Sequence, residues 1–597
     1  MTAQFTSGSQ PANTGSFEEL VTSGRPFVDK TAFLSQLLLS GRAVTFFQRP
    51  RNFGRTMSMD MLASFVEMSY QDPGDTSRQE KLFQGLDVLE DQELCNDFMG
   101  RYPVVSIALS EVGGTDFVKA MVAMLQQIRK CLGKYAFLLD SQKQPKHLKK
   151  SFQQALKISA SSEASLRNRR SNMDNAVALA RDCLSFISEL LTSEFGQKSM
   201  IIVDDYDVPL QQAAAHGYYD YMLMVVIGMM GSAMKGNLNQ KRGFFTGCIN
   251  IAHQSIYTGF NNYSTSDIND PQFADFMGFT REETAKLLRE YGMEERLPDV
   301  IEWYGGYNIA GTELLCPASV MRFIADAQAP GSSPATFPPR CYRDIPSDRE
   351  IIETCMRRRN DSDSARLQSL INGDSEEIDP SQFTTYPLIT TRTDLGTTAT
   401  LLLGTGCFTQ DPEKEPQDSY NLMIRIPNRE IHCCFKSVAD QLFSTQNPAW
   451  LEQAGRLRDS LFDGTTEEVE DVINSMLTTY ITFSSTSHES YYQSFLTGVL
   501  DLVSSEDVTV SSIPESGNGY SAITLQRKSD LKGVIIEYKE SEDDRFITMD
   551  NVCDKALEQI QASSQNFQLK QDKCREILKY GIAFTGRLCK VRKADSE

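Results

Sequence analysis

The stretch that decides the fold is Arg49-Pro50-Arg51-Asn52-Phe53-Gly54-Arg55-Thr56. It follows the apolar run Ala43-Val44-Thr45-Phe46-Phe47, which is typical of a buried strand, and it precedes a helix-like segment from Met57 to Met68. A turn between a buried strand and a helix often holds nucleotide phosphates, because the helix N-terminus presents backbone N–H groups and a positive dipole end. The sequence therefore predicts a strand, a phosphate-binding turn and a helix.

The turn departs from the P-loop pattern, which has Gly, four residues, Gly, Lys and then Ser or Thr. Arg49 occupies the first Gly position and Gly54 the second. Arg55 stands in place of the Lys, and Thr56 supplies the hydroxyl. Arginine keeps the charge but is bulkier than Lys, with a planar guanidinium. We therefore expect nucleotide binding through backbone N–H groups, Gly54 and Thr56, with slow hydrolysis or none. A plain strand–turn–helix with a basic turn is the alternative.

A second motif supports a nucleotide site. Met200-Ile201-Ile202-Val203 is a continuous apolar run, as expected of a strand buried on both faces, and it ends in Asp204-Asp205-Tyr206-Asp207. A carboxylate at such a strand end can hold Mg²⁺ beside phosphates, through water or a hydroxyl such as that of Thr56. The motif predicts Asp204 as that ligand and Asp205 as the residue that polarises an attacking water. A solvated strand end is the alternative.

A third stretch, Lys241-Arg242-Gly243-Phe244-Phe245-Thr246-Gly247, predicts another strand that ends in a polar turn. Such a turn is where a sensor residue would meet the γ-phosphate. Thr246, Asn261 and Asn262 are the candidate sensors, and Lys235 joins Lys241 and Arg242 as candidate charge stabilisers. The alternative for each is a turn residue that caps a strand.

With these motifs the chain resembles the predicted AAA-ATPase-like proteins that carry a PD-(D/E)XK nuclease-like domain at the C-terminus. The resemblance runs from roughly residue 20 to 590. It rests on Phe27-Val28-Asp29-Lys30-Thr31, Arg49 to Thr56, Leu82 to Leu86, Tyr102 to Val105, Val203 to Leu210, Phe245 to Gly247, Gly259 to Asn262, Gly278 to Thr280, Trp303 to Tyr307, Ile426 to Glu430 and Ile536 to Lys539.

The resemblance implies a second metal site near the C-terminus. A PD-(D/E)XK core places an Asp on one strand and Glu-x-Lys on the next, so that two carboxylates share Mg²⁺ and the Lys assists the attacking water. Glu537 and Lys539 supply Glu-x-Lys, with Glu537 as the metal ligand, and Gln559 on the following helix would face the site. Ala522 stands where relatives carry the Asp, so the nuclease site is expected to be inactive. Glu489, Glu515 and Asp530 are the carboxylates left to replace it.

The resemblance also implies the cofactors and the binding residues. ATP and Mg²⁺ would bind at Arg51, Asn52, Phe53, Gly54, Arg55, Thr56 and Thr246. The fold class is then α/β: a P-loop NTPase-like parallel sheet with a helical lid, a mostly helical connecting region and a C-terminal restriction-endonuclease-like domain. The expected boundaries are 1–19 for a disordered tail, 20–326 for the AAA-ATPase-like domain, 327–480 for the linker and connecting region, and 481–597 for the nuclease-like domain.

Composition bounds the function further. The 597 residues carry a net charge of −20, which disfavours tight nucleic-acid binding without excluding it. No apolar run reaches the length of a bilayer span, and the polar first 16 residues contain no secretory signal. The 13 cysteines form no Cys-x-x-Cys pair, and reduced thiols in the cytoplasm or nucleus are the simplest interpretation.

Three functions from different classes remain. The first, which we favour, is a nucleotide-binding AAA-like protein with weak or no ATPase activity. The second is a non-catalytic scaffold that binds a protein partner or its own copies. The third is an ATP-dependent, Mg²⁺-dependent DNA nuclease, which the two altered sites disfavour.

Overall fold

The computed structural model describes residues 16–249, 263–329, 331–343, 346–357, 361–371, 373–379, 395–418, 420–446, 448–480, 489–501, 503–505, 507–512, 523–541, 546–562, 574–585 and 588–594. The chain divides into two compact units, with the division between Phe435 and Lys436. Each unit has its own central sheet and its own hydrophobic core.

The first unit is built on a five-stranded sheet in the order β2-β3-β4-β1-β5. The strands are β1 Val44–Gln48, β2 Val104–Ala108, β3 Ser199–Asp204, β4 Gln240–Gly247 and β5 Tyr263–Ser266. All four neighbouring pairs are parallel, so the carboxyl ends of β1, β3 and β4 meet at one edge of the sheet. The register fixes this arrangement, because Phe245 pairs with both Phe46 and Val203.

Helices flank this sheet. They are α1 Phe17–Thr22, α2 Phe33–Leu39, α3 Arg55–Val66, α4 Ser77–Leu82, α5 Gln92–Phe98, α6 Phe117–Lys134, α7 Lys146–Ser159, α8 Glu163–Asn168, α9 Arg170–Phe195, α10 Val208–Ala215 and α11 Tyr219–Met234. Every residue of β3 is buried, and so are residues 44–47 of β1 and residues 243–247 of β4. This is the burial expected of a parallel sheet covered on both faces, since a one-sided sheet would show alternation.

The rest of the first unit is mostly helical, with two small sheets. Its helices are α12 Arg281–Glu290, α13 Leu297–Tyr304, α14 Pro317–Ala327, α15 Pro346–Arg357, α16 Asp361–Ile371, α17 Leu395–Thr405 and α18 Arg429–Gln446, the last of which runs into the second unit. Its strands are β6 Tyr307–Ile309, β7 Thr312–Leu314, β8 Glu376–Ile378, β9 Thr409–Gln410 and β10 Leu422–Arg425. A full capping box of Thr280 and Glu283 starts α12.

Two sequence-distant turns interlock in this region. Gly306 has a φ of 74°, and a Cβ atom added there would lie 2.1 Å from the carbonyl oxygen of Pro427. Asn428 donates from Nδ2 to the carbonyl of Gly305 at 2.7 Å, and its Oδ1 accepts from the Ile431 N–H at the start of α18. Only glycine fits such a close approach in the left-handed region. The contact therefore fixes the turn before β6 to the turn before α18.

The second unit holds a five-stranded sheet in the order β11-β12-β13-β14-β15. Its strands are β11 Val508–Ser512, β12 Ile523–Arg527, β13 Lys532–Glu540, β14 Glu576–Thr585 and β15 Leu588–Lys593. Its helices are α19 Pro448–Asp463, α20 Thr466–Tyr480, α21 Glu489–Asp501 and α22 Phe546–Ala562. β13 and β14 are parallel, and the other neighbouring pairs are antiparallel.

The two faces of the second sheet are covered by different helices. Val534, Ile536 and Tyr538 on β13 are buried in a core with residues of α19, α20 and α21. Ile535, between them in the chain, is buried against Ile560 of α22. Because successive strand residues point to opposite faces, the odd-numbered residues of β13 share the α22 face.

These observations confirm the α/β fold class, with a parallel sheet, a mostly helical middle region and a C-terminal mixed sheet. The predicted strand–turn–helix is β1, its following loop and α3. The expected tail is too long, because α1 begins at Phe17, whose ring is buried and stacks on Phe83 at 5.1 Å. None of the described helices is both long and apolar enough to cross a membrane.

Candidate functional site

The loop from Arg49 to Gly54 joins β1 to α3 at the carboxyl edge of the first sheet. Two of its residues adopt the left-handed conformation, Asn52 with a φ of 67° and Gly54 with a φ of 84°. Gly54 is the N-cap of α3 and offers no side chain to cap its first turn. The orphan N–H groups of that turn, together with the positive end of the helix dipole, are the usual components of an anion site.

Asp204, at the end of β3, accepts hydrogen bonds from the side chains of two other segments at this edge. Thr56, in the first turn of α3, donates from Oγ1 to Asp204 Oδ2 at 2.6 Å. Thr246, near the end of β4, donates to the other carboxylate oxygen, Oδ1, and accepts from the Asp205 N–H at 3.4 Å. Sequence reasoning selected Thr56, Asp204 and Thr246 separately, and the structure brings all three together around one carboxylate.

Arg55 does not point freely into solution. Its Nη2 lies 2.5 Å from Asp205 Oδ1, and its Nη1 donates to Cys248 Sγ at 3.2 Å. Burial alone would lower the pKa of Arg55, but Cys248, Asp205, Asp207 and Asp204 outweigh burial and leave the pKa raised. The guanidinium is therefore a permanent cation held against the strand end.

Asp205 is correspondingly constrained. Burial is the largest influence and raises its pKa to about 6, in opposition to Arg55, which lowers it. Its backbone is in the left-handed region at a φ of 55°, which is uncommon for a residue other than Gly and is found at functional sites. The group predicted to polarise water is thus already engaged by the residue that replaces the P-loop Lys.

Arg51 ties the loop to parts of the chain that sequence reasoning did not connect with it. Its Nη1 lies 3.3 Å from Asp348 Oδ1, and its Nη2 donates to Gln211 Oε1. Its backbone N–H donates to the carbonyl of Thr405 at 3.4 Å. Asp348 and Thr405 come from segments predicted to be connecting region, so no local motif could reveal them.

Asn52 and Phe53 contribute backbone more than side chain. The carbonyl of Asn52 accepts from the Ala318 N–H at 3.3 Å. The ring of Phe53 is buried against Tyr307, with ring centroids 4.8 Å apart. Neither contact leaves the Phe53 side chain at the anion site, so its role there is limited to the main chain.

Arg49, in the first Gly position, has become a structural residue. It is fully buried, and Nη1 donates to the carbonyls of Ser266 at 2.9 Å and Asp267 at 3.1 Å. Nη2 donates to the carbonyl of Phe273 at 2.6 Å. Burial lowers the pKa of Arg49 to about 10, although nearby carboxylates including Asp267 act in the opposite direction. The side chain therefore anchors the segment after β5 to the end of β1.

A cleft of about 850 Å³ opens beside α3. The loop from Arg51 to Thr56 and the start of α3 line it, together with Asp205. Its apolar lining includes Phe27, Val28, Phe276, Phe279 and Met321. Lys30 also lines the cleft, where Nζ pairs with Glu283 at 2.6 Å and donates to the carbonyl of Asp275 at 2.7 Å. A volume of this size, with both charged and apolar residues in its lining, suits a small ligand with a charged end.

The expectation that Lys235, Lys241 and Arg242 stabilise charge at this site is wrong. Arg242 pairs with Met200 at the start of β3, which is the amino edge of the sheet. Lys241 lies 5.4 Å from the centroid of the Tyr102 ring. Lys241 and Arg242 lie in the first residues of β4 and Lys235 precedes that strand, so these cations are toward its amino end, about a strand length from the loop. Asn261 and Asn262 lie outside the described residues.

The oxygen atoms around Asp204 fit a hard divalent cation. The Asp204 carboxylate and the Thr56 hydroxyl are the ligand types that Mg²⁺ accepts, and Mg²⁺ commonly completes its shell with water and substrate phosphate. Asp207, nearby in sequence, accepts from the Cys248 N–H through Oδ2 at 2.9 Å, and its buried Oδ1 has no described partner. Among the residues that the structure describes, no cluster of three or more His, Cys, Asp or Glu side chains is arranged to hold a metal by itself.

In the second unit Glu537 and Lys539 lie on β13, two residues apart, on the face covered by α22. Glu537 is only 4% exposed, and Lys539 is half-buried. Gln559 lies on α22, and its buried Oε1 has no hydrogen-bond partner in the described part of the chain. The Glu-x-Lys pair is thus inside the unit rather than at a solvated strand end.

Of the three carboxylates considered as replacements for the missing Asp, Asp530 is the one whose side chain the structure describes, and it does not lie at this pair. Asp530 lies in the turn between β12 and β13, where it pairs with Arg527 at 2.5 Å. Five strand residues separate this end of β13 from Glu537, a distance of about 16 Å. Glu515 and Ala522 lie outside the described residues, as does the side chain of Glu489 at the start of α21. Ile523, the residue after Ala522, pairs with Ile536, the residue before Glu537.

Comparison with protein families gives two matches. A family model described as a predicted AAA-ATPase matches residues 11–257, which contain β1 to β4, the Arg49–Thr56 loop and Asp204. A model of the PD-(D/E)XK nuclease superfamily matches residues 487–594, which contain β11 to β15 and the Glu537–Lys539 pair. Neither the curated proteins nor the solved structures contain a match to the chain. The chain therefore carries a predicted AAA-ATPase domain followed by a domain of the PD-(D/E)XK nuclease superfamily.

Proposed function

We propose that this protein binds ATP with Mg²⁺ in the cleft beside α3 and hydrolyses it weakly or not at all, while its nuclease-like domain does not cut nucleic acid. The observation that carries the proposal is the 2.6 Å hydrogen bond between Thr56 and Asp204, directly at the uncapped start of α3. A hydroxyl and a carboxylate in contact at an anion-binding helix terminus are the arrangement that a metal-bound phosphate requires.

The residues divide the work of binding. The uncapped N–H groups at the start of α3 would bind the phosphates, and Arg51 and Arg55 would add positive charge beside them. Thr56 and Asp204 would hold Mg²⁺, whose chemistry is to neutralise the phosphate oxygens. Asp204 already accepts hydrogen bonds on both oxygens, so its carboxylate is oriented before any ligand arrives.

The apolar part of the lining would take the base. Phe27, Phe276 and Phe279 supply flat surfaces on which a base can pack. Lys30 and Glu283 form an ion pair that also borders the cleft. Because this pair is already satisfied, we assign it a role in shaping the cleft and no contact with phosphate.

The same geometry argues for slow hydrolysis. In a P-loop protein the Lys reaches the β- and γ-phosphates. Arg55 would have to leave Asp205 and Cys248 to do so. Asp205 would have to lose its partner before it could orient water. Separating two ionised groups in a buried site is costly. The arginine at position 55 therefore restrains both the cation in the Lys position and Asp205, the residue predicted to orient water.

The test is equilibrium binding of labelled ATP to the full chain, with Mg²⁺ and with a chelator in its place. We expect Mg²⁺-dependent binding that Asp204→Ala weakens at least about tenfold, because the metal loses its protein carboxylate. The matched control is Asp174→Ala, which removes an exposed carboxylate from α9 in the same unit. Equal losses in both variants would point to charge or folding instead of a metal site.

The second candidate, a scaffold without a working nucleotide site, is favoured by the same closed contact between Arg55 and Asp205. That contact fills the space where a catalytic Lys and its phosphates would meet. Absence of ATP binding at millimolar concentration in the folded wild-type chain would select this candidate. The loop would then serve only to join β1 to α3.

A further inference from the structure

Two cysteines far apart in sequence meet in the first unit. Sγ of Cys341 lies 3.6 Å from Sγ of Cys434. Cys341 follows the Pro-rich segment after α14 and is exposed, whereas Cys434 lies on α18 and is half-buried. Both sulfurs lie against the carbonyl of Arg343, at 3.1 Å for Cys434 and 3.9 Å for Cys341. The two thiols therefore share one hydrogen-bond acceptor.

We propose that Cys341 and Cys434 form a reversible disulfide when the protein meets a peroxide. A disulfide has an S–S distance of about 2.05 Å, so the sulfurs need to approach by about 1.5 Å. A rotation of the exposed Cys341 side chain can supply a movement of this size. Most of the protein's other cysteines are buried, whereas this pair combines close sulfurs with access from solution.

The chemistry balances in two steps. The Cys341 sulfur attacks the peroxide O–O bond, which breaks, and the thiol becomes a sulfenic acid while one water leaves. The Cys434 sulfur then attacks the Cys341 sulfur, the S–O bond breaks, and a second water carries away the remaining thiol proton. Two thiols lose two electrons in total, and one hydrogen peroxide is reduced to two waters.

The order of the two cysteines follows from their surroundings. Cys341 is the exposed sulfur and meets the oxidant first. The hydrogen bond with Cys341 is the largest cause, and burial the second, of a raised pKa at Cys434. Cys434, the half-buried sulfur 3.6 Å away, is then the one placed to attack the oxidised Cys341.

The pair is connected to the nucleotide loop through Arg343. This side chain is 1% exposed, and its Nη2 lies 3.0 Å from Asp348 Oδ2. Its Nη1 donates to the carbonyl of Gly406 at 3.2 Å, and its Nη2 donates to the carbonyl of Thr405. Asp348 and Thr405 are also the partners of Arg51. Fixing residues 341 to 343 therefore fixes the groups that hold Arg51.

This connection gives the disulfide an expected effect, which rests on the proposed ATP site. Arg51 must leave Asp348 to reach a phosphate in the cleft. The cross-link stabilises the arrangement in which Asp348 keeps Arg51. We therefore expect the oxidised protein to bind ATP about fivefold more weakly than the reduced protein, the lower end of typical coupling between two sites.

The test uses the full chain treated with micromolar hydrogen peroxide and then blocked with a thiol reagent. Trypsin should release a peptide of residues 341–343 joined to a peptide of residues 430–436, and a reductant should separate them. Cys434→Ser should abolish this product. Cys433→Ser, which changes the adjacent cysteine of the same peptide, should leave it intact. ATP affinity is measured on the same oxidised and reduced samples.

The outcomes separate the disulfide from the ATP site. Absence of the joined peptide in the wild type, or its persistence in Cys434→Ser, would overturn the proposal whatever happens with ATP. A joined peptide with unchanged ATP affinity would overturn the link through Arg343 alone. If reduced protein binds no ATP, the proposed function fails and the peptide map still decides the disulfide.

Discussion

The Arg49–Thr56 loop and the strand that carries Glu537 lie in domains that match an AAA-ATPase and a nuclease family model, but they depart from the expected residue patterns in different ways. In the loop, charged side chains replace the pattern's residues, and each has found new partners. Arg49 binds backbone carbonyls, and Arg55 pairs with Asp205. At the strand, the expected change is Ala522 in the position of the metal-binding Asp, and alanine has no side-chain oxygen. Glu537 and Lys539 remain together on one face without a carboxylate from that position.

The comparison separates a substitution that keeps a charge from one that removes a metal ligand. Replacing one cation by another keeps the sign of the charge, so the loop can still attract phosphate. Replacing a carboxylate by a methyl group removes a metal ligand outright, and Asp530, the candidate replacement that the structure describes, lies about 16 Å along β13 from Glu537. We therefore expect the first site to bind ligand without fast chemistry and the second to lack metal affinity. The following predictions test this contrast, from the largest expected effect to the smallest.

Replacing Arg49 should have the largest effect, on stability. Arg49→Met removes hydrogen bonds to the carbonyls of Ser266, Asp267 and Phe273 and leaves these buried acceptors without a donor. We expect a loss of about 3 kcal/mol in the free energy of unfolding, measured by urea denaturation. Arg78→Met is the control, because its ion pair with Glu18 is about half exposed and should matter by less than about 1 kcal/mol. Equal losses in the free energy of unfolding for the two variants would contradict a structural role for Arg49.

Restoring the missing carboxylate should create metal affinity in the second unit. Ala522→Asp adds a second carboxylate that can bind a metal ion together with Glu537. We expect Mn²⁺ binding, measured by calorimetry, to strengthen by about tenfold or more. Ala522→Asn adds similar volume without the charge and is the matched control. Strong Mn²⁺ binding or DNA cleavage by the wild type that Glu537→Gln removes would break the contrast between the two regions.

Reversing the cation change should affect the rate of hydrolysis. Arg55→Lys replaces the guanidinium paired with Asp205 by a flexible ammonium that can reach phosphate. We expect phosphate release from ATP to rise about tenfold, and ATP affinity to change by less than about threefold, because this charge is kept. Arg51→Lys serves as the comparison within the same loop and should give no gain. A wild-type rate equal to that of Arg55→Lys would show that Arg55 does not restrain hydrolysis.

The smallest effect concerns pH. Burial raises the pKa of Asp205 to about 6, above the unfolded value near 3.8, so the native state holds its proton to higher pH than the unfolded state. The associated stability is present below the unfolded pKa and is lost as pH rises through about 6. Between pH 5.5 and 7.5 the wild type should lose about 1 kcal/mol that Asp205→Asn does not lose. Parallel stability curves for the two proteins, measured by urea denaturation, would contradict a raised pKa.

The sequence predicted the elements that local pattern determines. The apolar runs of β1 and β3 identified their strands, and parallel strands place their carboxyl ends together, so the meeting of Thr56 with Asp204 followed from topology. The error over Lys241 and Arg242 was avoidable, since residues at the start of a parallel strand lie at the opposite edge of the sheet from residues at its end.

Other features were beyond sequence reasoning because they depend on contacts between distant segments. The partners of Arg55 and Arg51 lie 150 and 297 positions away, on segments whose spatial position no periodicity reveals. The contact between Arg55 and Asp205 and the contacts that hold Arg51 both depend on such distant segments. The domain boundary expected near residue 327 remains a prediction, while the structure's compact units divide after Phe435.

The close approach of Gly306 to Pro427 has a consequence for how the chain can be cut. A fragment that ended after α14 would keep the cleft beside α3. It would lose the turn at Pro427 and Asn428, which packs against Gly305 and Gly306. It would also lose Asp348, which pairs with the Arg51 side chain, and Thr405, whose carbonyl accepts from the Arg51 backbone N–H. A fragment that ends near Phe435 keeps all of these contacts. We therefore expect the smallest independently folding piece that keeps this cleft and its loop contacts to extend well beyond the residues that the AAA-ATPase model matches.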